Sequence, residues 1–231
     1  MARGWNVAVV HQLLLADCSD AEVERARLLL DEDEAEKAAR FMFDEHRRLY
    51  TLAHGMLRIV LGRSLQRAPE GLRFAIGEHG KPSIDGVEFN LSHTEGCIVV
   101  ALGNDPLGVD VESWLRRTDV LGICDRFFAP SEAAALRALP PSEHRERFFR
   151  YWTLKEAYIK ARGMGLAIPL ASFSFDLSLE RIAISYAPEL DDDADRWHFA
   201  QTMTDTHMFA VCTSSRDAGL TLVPFRFVGS E

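Results

Sequence analysis

Two carboxylates stand two residues apart in an otherwise apolar segment, LGVDVE at 107–112. The alternation predicts a β-strand, in which Asp110 and Glu112 share one face while Val109 and Val111 point to the core. At about 4 Å and an effective dielectric near 20, two such carboxylates repel each other by about 4 kcal/mol. Either a solvated strand face or a bound cation would relieve this repulsion, and oxygen ligands favour magnesium over zinc.

A second polar group lies on a helix predicted over 142–162, which ends at Gly163. Glu156 and Lys160 are four residues apart and share a face, with Trp152 one turn earlier. An exposed ion pair with this spacing contributes only roughly a few tenths of a kcal/mol. The aromatic neighbours instead predict a buried helix, where a metal ion and a phosphorylated ligand would supply the polar partners that Glu and Lys need.

The remaining sequence predicts helices followed by strands, twice over, which is typical of an α+β fold with two comparable halves. A turn at 103–106 separates an N-terminal half, 1–105, from a C-terminal half, 106–231, that carries the acidic motifs. Predicted helices cover 20–40, 35–61 with Gly62 as the stop, about 118–128, and about 131 up to the prolines at 140–141. Predicted strands are 88–94, 97–102, 107–112, 172–177, 181–186, 197–204, 207–213 and 220–227.

Composition limits the class of protein. The chain has 231 residues, 47% of them hydrophobic, which is enough for one large domain or two small ones. No apolar run approaches the roughly 20 residues of a membrane span. The apolar start at 5–15 is interrupted by His11 and Gln12, and predicts a buried strand in place of a signal peptide.

Net charge and cysteine usage narrow the class of protein further. The net charge of −9 argues against nucleic-acid binding but allows a small phosphorylated ligand in a local basic pocket. Cys18, Cys97, Cys124 and Cys212 are scattered, so we expect neither a disulfide framework nor a zinc site. A reducing, cytoplasmic location follows as an expectation.

Four ordered blocks together resemble the Sfp-type 4′-phosphopantetheinyl transferase family. GVDVE at 108–112 matches the family pattern Gly-(Ile/Val)-Asp-x-Glu, and WTLKEAYIK at 152–160 matches Trp/Phe-(Ser/Thr)-x-Lys-Glu-Ala/Ser-x-x-Lys. GKP at 80–82 and FNLSHT at 89–94 look like two further family blocks. The resemblance is specific between 80 and 165, looser before that, and absent from the last sixty or so residues.

The resemblance implies two pseudo-twofold-related halves, each with helices packed on a mostly antiparallel sheet, and coenzyme A bound between them. It implies a Mg²⁺-dependent holo-carrier-protein synthase activity. A serine of an apo acyl or peptidyl carrier protein would attack the Mg²⁺-bridged pyrophosphate directly, take the 4′-phosphopantetheine moiety, and release 3′,5′-ADP. Such chemistry needs charge neutralisation and no protein nucleophile.

By the same resemblance, Asp110, Glu112 and Glu156 would hold Mg²⁺, with Glu156 also catalytic. Lys160 would contact the coenzyme A phosphates and steady the leaving group, and Lys155 would support the phosphate pocket.

The other family blocks supply predicted coenzyme A contacts. Ser92 and His93 would meet the 3′-phosphate or the pyrophosphate. Gly80, Lys81 and Pro82 would line the adenine and 3′-phosphate region.

Three further residues are matched by position. Lys37 and Arg48 sit where the family often places phosphate-binding residues, with Arg47 as a rival. Glu132 follows two phenylalanines in the way that a proposed general base does in related enzymes, and a metal-bound water is the alternative base.

Two other classes of function compete with the transferase. One is a non-catalytic coenzyme A or carrier-protein binding module on the same fold, and the other is an unrelated Mg²⁺-dependent nucleotide enzyme. Fatty-acid, polyketide and nonribosomal-peptide carriers all remain open as partners. Segment 113–117, with Arg116 and Arg117, is predicted to help dock an acidic carrier. The resemblance implies that a chain with both halves is a monomer, and no nucleic-acid or membrane partner is expected.

Overall fold

The computed structural model of the protein describes residues 8–179, 181–216 and 219–227. Within these ranges it has six α-helices and eleven β-strands. The helices are α1 (Asp20–Arg27), α2 (Glu32–Ala39), α3 (Asp44–Leu65), α4 (Val120–Phe127), α5 (Pro130–Arg137) and α6 (His144–Arg162). The strands are β1 (Ala8–Leu14), β2 (Ala75–Ile76), β3 (Pro82–Ser83), β4 (Glu88–Thr94), β5 (Cys97–Gly103), β6 (Leu107–Ser113), β7 (Phe173–Asp176), β8 (Ala183–Tyr186), β9 (His198–Met203), β10 (His207–Thr213) and β11 (Leu220–Pro224).

The first large sheet has the strand order β11-β1-β5-β4. Strand β5 pairs antiparallel with β1 and β4, whereas β11 adds to β1 in parallel. Helix α3 contributes Leu52, Met56 and Leu61 to a core shared with Ile98 and Val100 of β5. Burying this apolar face of α3 is what holds the helix on the sheet.

The second large sheet is the antiparallel set β6-β10-β9, and α6 packs against it. Phe148, Leu154 and Tyr158 of α6 share a core with Met208 and Cys212 of β10. One long helix on a sheet of mainly antiparallel strands thus occurs twice, as α3 on the first sheet and α6 on the second.

A third apolar cluster joins the two sheets. It contains Val99 of β5, Val109 and Val111 of β6, and Phe209 and Val211 of β10, all fully or almost fully buried. The alternating pattern of β6 predicted this, since its valines face the cluster while Asp110 and Glu112 face the other way.

The α+β class and the three strands that carry the family blocks are confirmed. The predicted helix over 142–162 is also confirmed as α6, and it ends at Gly163 in the left-handed conformation, with a φ of 66°. The four cysteines are unpaired and buried. Of the predicted strand at 5–15, the positions 5–7 lie outside the described residues, and the rest forms β1 and a short 3₁₀ turn.

Two details of the sequence-based prediction were wrong. Gly62 does not end its helix, since α3 continues to Leu65 and is capped by Gln66 in the left-handed conformation. The helical region also breaks between α2 and α3, because Phe43 is extended and begins α3 as its N-cap.

The C-terminal segment returns to the N-terminal sheet. Strand β11 pairs with β1, and Phe225 and Phe227 pack in the core under α3. The division at 105/106 stays a prediction, and residues 220–227 lie on the far side of it. Helices able to cross a membrane, by length and apolar character, are absent from the described ranges.

Candidate active site

A glycine lets β6 lie directly against α6. A Cβ atom built on Gly108 would lie 2.1 Å from the carbonyl oxygen of Ala157 and 2.4 Å from the backbone nitrogen of Ala161. Only a residue without a side chain permits this approach. The close contact brings Asp110 and Glu112 of the strand up to the polar side chains of the helix.

Asp110 is the most buried of these acids, with 3% of its surface exposed. Its Oδ1 accepts hydrogen bonds from Lys160 Nζ at 2.6 Å and from Ser92 Oγ at 2.9 Å. Its Oδ2 is also buried and has no hydrogen-bond partner among the described residues. The burial of Asp110 excludes a solvated strand face as the explanation for this residue. A buried carboxylate oxygen without a partner is costly, so Oδ2 is expected to have a ligand.

Glu112 is held from three sides. Its Oε1 accepts from Trp152 Nε1 at 3.0 Å, and its Oε2 accepts from Thr94 Oγ1 at 3.1 Å. Arg116 forms an ion pair with it at 3.4 Å. Trp152, Thr94 and Arg116 therefore fix the orientation of the Glu112 carboxylate.

The third acid, Glu156, completes a cluster of mutually repelling charges. Burial raises the pKa of Asp110, and the nearby ammonium of Lys160 opposes that rise. Burial also raises the pKa of Glu112 and of Glu156, and the charge of Asp110 raises each of them further. The carboxylate of Glu156 accepts no hydrogen bond from any described residue. These acids are therefore more stable when a proton or a cation neutralises them.

The donor set of this cluster fits a hard divalent cation. Three carboxylates, including the unpartnered Oδ2 of Asp110, supply the oxygen ligands that Mg²⁺ prefers. In the described ranges, however, no three His, Cys, Asp or Glu side chains are already arranged around one ion position. Lys160 lies on Asp110, and Trp152 with Arg116 lies on Glu112, so an ion held by these acids would require the contacts to rearrange.

Polar side chains of β4 join the two halves at this point. Asn90 Oδ1 accepts from the backbone nitrogen of Val109 at 2.9 Å, Ser92 reaches Asp110, and Thr94 Oγ1 accepts from the backbone nitrogen of Ser113 at 3.4 Å. Sequence reasoning singled out Ser92 but missed Asn90 and Thr94. The period of two along the strand was the signal that would have found them.

Similarity to known proteins agrees with this geometry. A family model described as the 4′-phosphopantetheinyl transferase superfamily matches residues 106–212. The chain is 36% identical to the 4′-phosphopantetheinyl transferase HetI of Nostoc sp. over 179 residues, which cover 74% of this chain and 71% of that protein. The chain belongs to the 4′-phosphopantetheinyl transferase family.

A second relative is consistent with that membership. The chain is 33% identical to the 4′-phosphopantetheinyl transferase Sfp of Bacillus subtilis over 162 residues, covering 69% of this chain and 71% of that protein. Among solved structures, a Thermotoga maritima holo-[acyl-carrier-protein] synthase aligns with a TM-score of 0.39 and 21% identity, over 48% of this chain and 64% of that chain. The resemblance found in the motifs is confirmed, and the protein is a transferase enzyme.

In this transferase, the two predicted phosphate contacts of β4 lie on opposite faces of the strand. Ser92 is buried beside Asp110, whereas His93 is exposed on the face that also carries Leu91, which packs with α3. Partial desolvation lowers the pKa of His93, and the nearby charges of Lys160 and His54 lower it further. His93 is therefore mostly neutral near pH 7 and lies close to Lys160 and His54.

Stacked aromatic rings connect Lys37 with the region around His93. Its Nζ lies 5.5 Å from the ring centroid of Tyr50, and that ring stacks on His54 with centroids 4.0 Å apart. Lys37 is exposed, and this stack connects it to the neighbourhood of His93 and Lys160. The result is a row of basic groups from α2 to α6.

The two matched arginines of α3 are already paired with acids. Arg48 forms an ion pair with Asp20 at 2.6 Å, and Arg47 forms one with Asp44 at 2.7 Å. Both acids are highly exposed, so a phosphate would compete with them in open solvent. Arg48 also donates to the backbone carbonyl of Cys18, which ties it to the segment before α1.

Two residues of the GKP block, Lys81 and Pro82, line a pocket beside the end of α6. A cavity of about 520 Å³ is lined by Lys81 and Pro82 from the N-terminal half and by Arg162 and Met164 from the end of α6. Lys81 Nζ donates to the carbonyl of Leu107 at 3.0 Å, and burial lowers its pKa. Gly80, with a φ of 82°, makes the turn that precedes Lys81.

Glu132 and Lys155 are buried together in the part of the molecule that contains α5 and α6. Glu132 is 1% exposed and Lys155 is 0% exposed, and they form an ion pair with each other. The Lys155 ammonium also lies 4.3 Å from the ring centroid of Phe173 in the core. In this structure neither group is open to a ligand, so the base role of Glu132 and the phosphate-pocket role of Lys155 stay predictions that would require the buried pair to separate.

Proposed function

We propose that this transferase moves the 4′-phosphopantetheine group of coenzyme A onto a serine hydroxyl of an apo acyl or peptidyl carrier protein. The serine oxygen forms a bond to phosphorus, the bond between that phosphorus and the bridging pyrophosphate oxygen breaks, and 3′,5′-ADP leaves. The observation that carries the proposal is the meeting of Asp110, Glu112, Glu156 and Lys160 beside Ser92.

Asp110, Glu112 and Glu156 would hold the magnesium ion. When bound, the ion supplies positive charge against the pyrophosphate oxygens, which is the main need of phosphoryl transfer. The raised pKa values of the three acids and the unpartnered Oδ2 of Asp110 support this assignment.

Lys160 would offset the charge that develops on the departing 3′,5′-ADP. Its side chain is 27% exposed, so it reaches both the buried Asp110 and solvent. A fixed cation at the leaving group stabilises the transition state more than the ground state, because negative charge grows there as the bond breaks.

Coenzyme A would lie across the two halves. Lys37, His54 and His93 line one side and suit the 3′-phosphate, while Lys81 and Pro82 line the cavity that suits the adenine. The first region reaches the acidic cluster at Lys160, which lies near His93. The second region reaches it at the end of α6, which lines the cavity.

Because Glu132 is buried against Lys155 in this structure, we propose a different acceptor for the proton of the carrier serine. Glu156 suits the role, because it belongs to the acidic cluster and no hydrogen bond to a described residue restrains it. A carboxylate within reach of the attacking hydroxyl serves as a general base.

The carrier would dock beside the acidic cluster at segment 113–117. Leu115 is 57% exposed and Arg117 is also exposed, so the segment offers an apolar and a basic contact. Arg116 is less informative to mutate, because it also forms the ion pair with Glu112. Arg117→Glu should raise the KM for the carrier with little change in kcat, while Arg67→Glu at the far end of α3 should leave both unchanged. An unchanged KM in Arg117→Glu removes this docking site.

The deciding experiment incubates purified protein with coenzyme A, Mg²⁺ and an apo carrier, followed by intact-mass analysis of the carrier. A mass gain equal to the phosphopantetheine arm supports the transferase. No gain with retained coenzyme A binding favours a non-catalytic module, and turnover of nucleoside triphosphates favours another nucleotide enzyme. A panel of fatty-acid, polyketide and nonribosomal-peptide carriers identifies the partner. We infer a cytoplasmic monomer, which light scattering on the purified chain and fractionation of cells test.

A further inference from the structure

We propose that Lys160 acts as an internal cation that occupies Asp110 in the ligand-free chain, so that a divalent ion binds tightly only together with a diphosphate-bearing ligand. This rests on the proposed function, because it takes Asp110, Glu112 and Glu156 as the ion's ligands.

The contacts of Lys160 carry the inference. Its Nζ lies 2.6 Å from Asp110 Oδ1 and 2.8 Å from Ser92 Oγ, and Ser92 itself donates to the same carboxylate oxygen. The ammonium, the hydroxyl and the carboxylate thus form a closed triangle. Asp110 is almost fully buried and its Oδ2 has no partner in the described part of the chain, so the carboxylate is only half satisfied.

The surrounding charges both attract and repel a second cation. The acids Asp110, Glu112 and Glu156 face the cations Lys160 and Arg116. When all three acids are ionised, the five groups leave one negative charge, which is too little to attract a divalent ion strongly. An ion entering at Oδ2 would also meet the Lys160 ammonium across the same carboxylate, and like charges repel.

A diphosphate group removes this conflict. Lys160 is partly exposed on a flexible stem, so it is able to leave Asp110 if another anion receives it. Phosphate oxygens of coenzyme A are such an anion, and they add their own charge to the ion's surroundings. The same ligand therefore draws the ammonium away and makes the site more negative.

Linkage makes the effect reciprocal. If coenzyme A raises the affinity for the ion by some factor, the ion raises the affinity for coenzyme A by the same factor. Lys160 thereby makes the binding of the two ligands cooperative. The free protein holds little metal, and the ion and coenzyme A bind as a pair.

The test measures Mn²⁺ binding by isothermal titration calorimetry, with and without coenzyme A, and needs no turnover. In the unmodified protein we expect coenzyme A to tighten Mn²⁺ binding by at least about tenfold, or ~1.4 kcal/mol. Lys160→Met removes the charge and should bind Mn²⁺ about tenfold more tightly than the unmodified protein in the absence of coenzyme A. Lys160→Arg keeps the charge and should retain the dependence on coenzyme A.

Several outcomes overturn the proposal. Equal Mn²⁺ affinity with and without coenzyme A in the unmodified protein does so without any variant. Lys160→Met binding no more tightly than the unmodified protein, while its near-ultraviolet circular dichroism is native, also does so. Absence of Mn²⁺ binding under both conditions removes the ion site itself.

Failure of the proposed function gives a different pattern. If no carrier gains mass but Mn²⁺ and coenzyme A still bind cooperatively through Lys160, the coupling stands and the transfer reaction does not. If the carrier gains mass but Mn²⁺ binding is independent of coenzyme A, the transferase stands and the role of Lys160 does not.

Discussion

Lys155 Nζ lies 2.7 Å from Glu132 Oε2, and the two side chains form a buried ion pair that links α6 to α5. Each partner also has backbone contacts: Glu132 Oε1 accepts from the nitrogen of Phe175 at 3.0 Å, and Lys155 Nζ donates to the carbonyl of Leu170 at 2.7 Å. The pair therefore holds the start of α5, the middle of α6 and strand β7 together, which supports the site only indirectly.

Glu132→Gln should destabilise the fold by about 3–5 kcal/mol, because it leaves the Lys155 ammonium buried without its counter-charge. The folded fraction should keep a transfer rate close to that of the unmodified protein. Urea unfolding gives the stability, and carrier labelling corrected for the folded fraction gives the rate.

A matched control replaces both charges, as Glu132→Leu with Lys155→Met, and should recover much of the lost stability. A Glu132→Gln protein of normal stability but no transfer activity would instead restore Glu132 as the general base.

Asp110→Asn should reduce transfer by about 100-fold or more while the protein still folds, because the side chain keeps its shape but loses the charge that a cation needs. Intact-mass labelling rates and the circular dichroism spectrum check the two parts. Asp105→Asn makes the same chemical change at an exposed turn residue and should leave the rate unchanged. Normal transfer by Asp110→Asn contradicts the assignment of the metal ligands.

Gly108→Ala should destabilise the protein by about 1–3 kcal/mol and lower transfer, since the new methyl group must push β6 away from the backbone of α6. The strand then no longer presents Asp110 to Lys160. Gly71→Ala is the control, because a Cβ atom at Gly71 meets nothing within 4 Å. Thermal unfolding of both variants is the measurement, and equal midpoints would show that the close approach is not needed.

Glu34 should make the fold sensitive to acid. Burial alone would raise its pKa, but hydrogen bonds from His54 and Arg58 outweigh burial and lower the pKa below its ordinary value of 4.5. A lowered pKa in the folded state means that the stabilisation is complete above pH 4.5 and is lost as the pH falls through the folded-state pKa. Urea midpoints of the unmodified protein should therefore decline below that pH.

Glu34→Gln should lose about 2 kcal/mol of stability at neutral pH, because it removes one charged partner of the buried Arg58, and its decline in acid should be shallower. Glu36→Gln on the same helix is the control, since Glu36 is exposed and forms only a surface ion pair with Arg40. An unchanged acid profile in Glu34→Gln rules out Glu34 as the source of that sensitivity.

The strands and the last long helix were predictable because their signals are local. The alternation around Asp110 predicted β6, and Gly163 predicted the end of α6, since each depends on backbone preferences of neighbouring residues. Gly62 was misread because glycine is also used for close packing within helices: a Cβ atom there would lie 2.8 Å from the carbonyl oxygen of Arg67.

The sequence alone was enough to predict which residues would carry the chemistry. The spacing of Asp110 with Glu112 and of Glu156 with Lys160 follows from the periods of a strand and a helix, and the four blocks were sufficient to indicate the family. Only the tertiary structure decided which neighbours these groups have. It placed Lys160 on Asp110 and Trp152 on Glu112, and it enclosed Glu132 with Lys155 in the core. Such pairings join residues distant in the chain, and burial and contact at those distances are set by packing of the whole molecule, which no local pattern encodes.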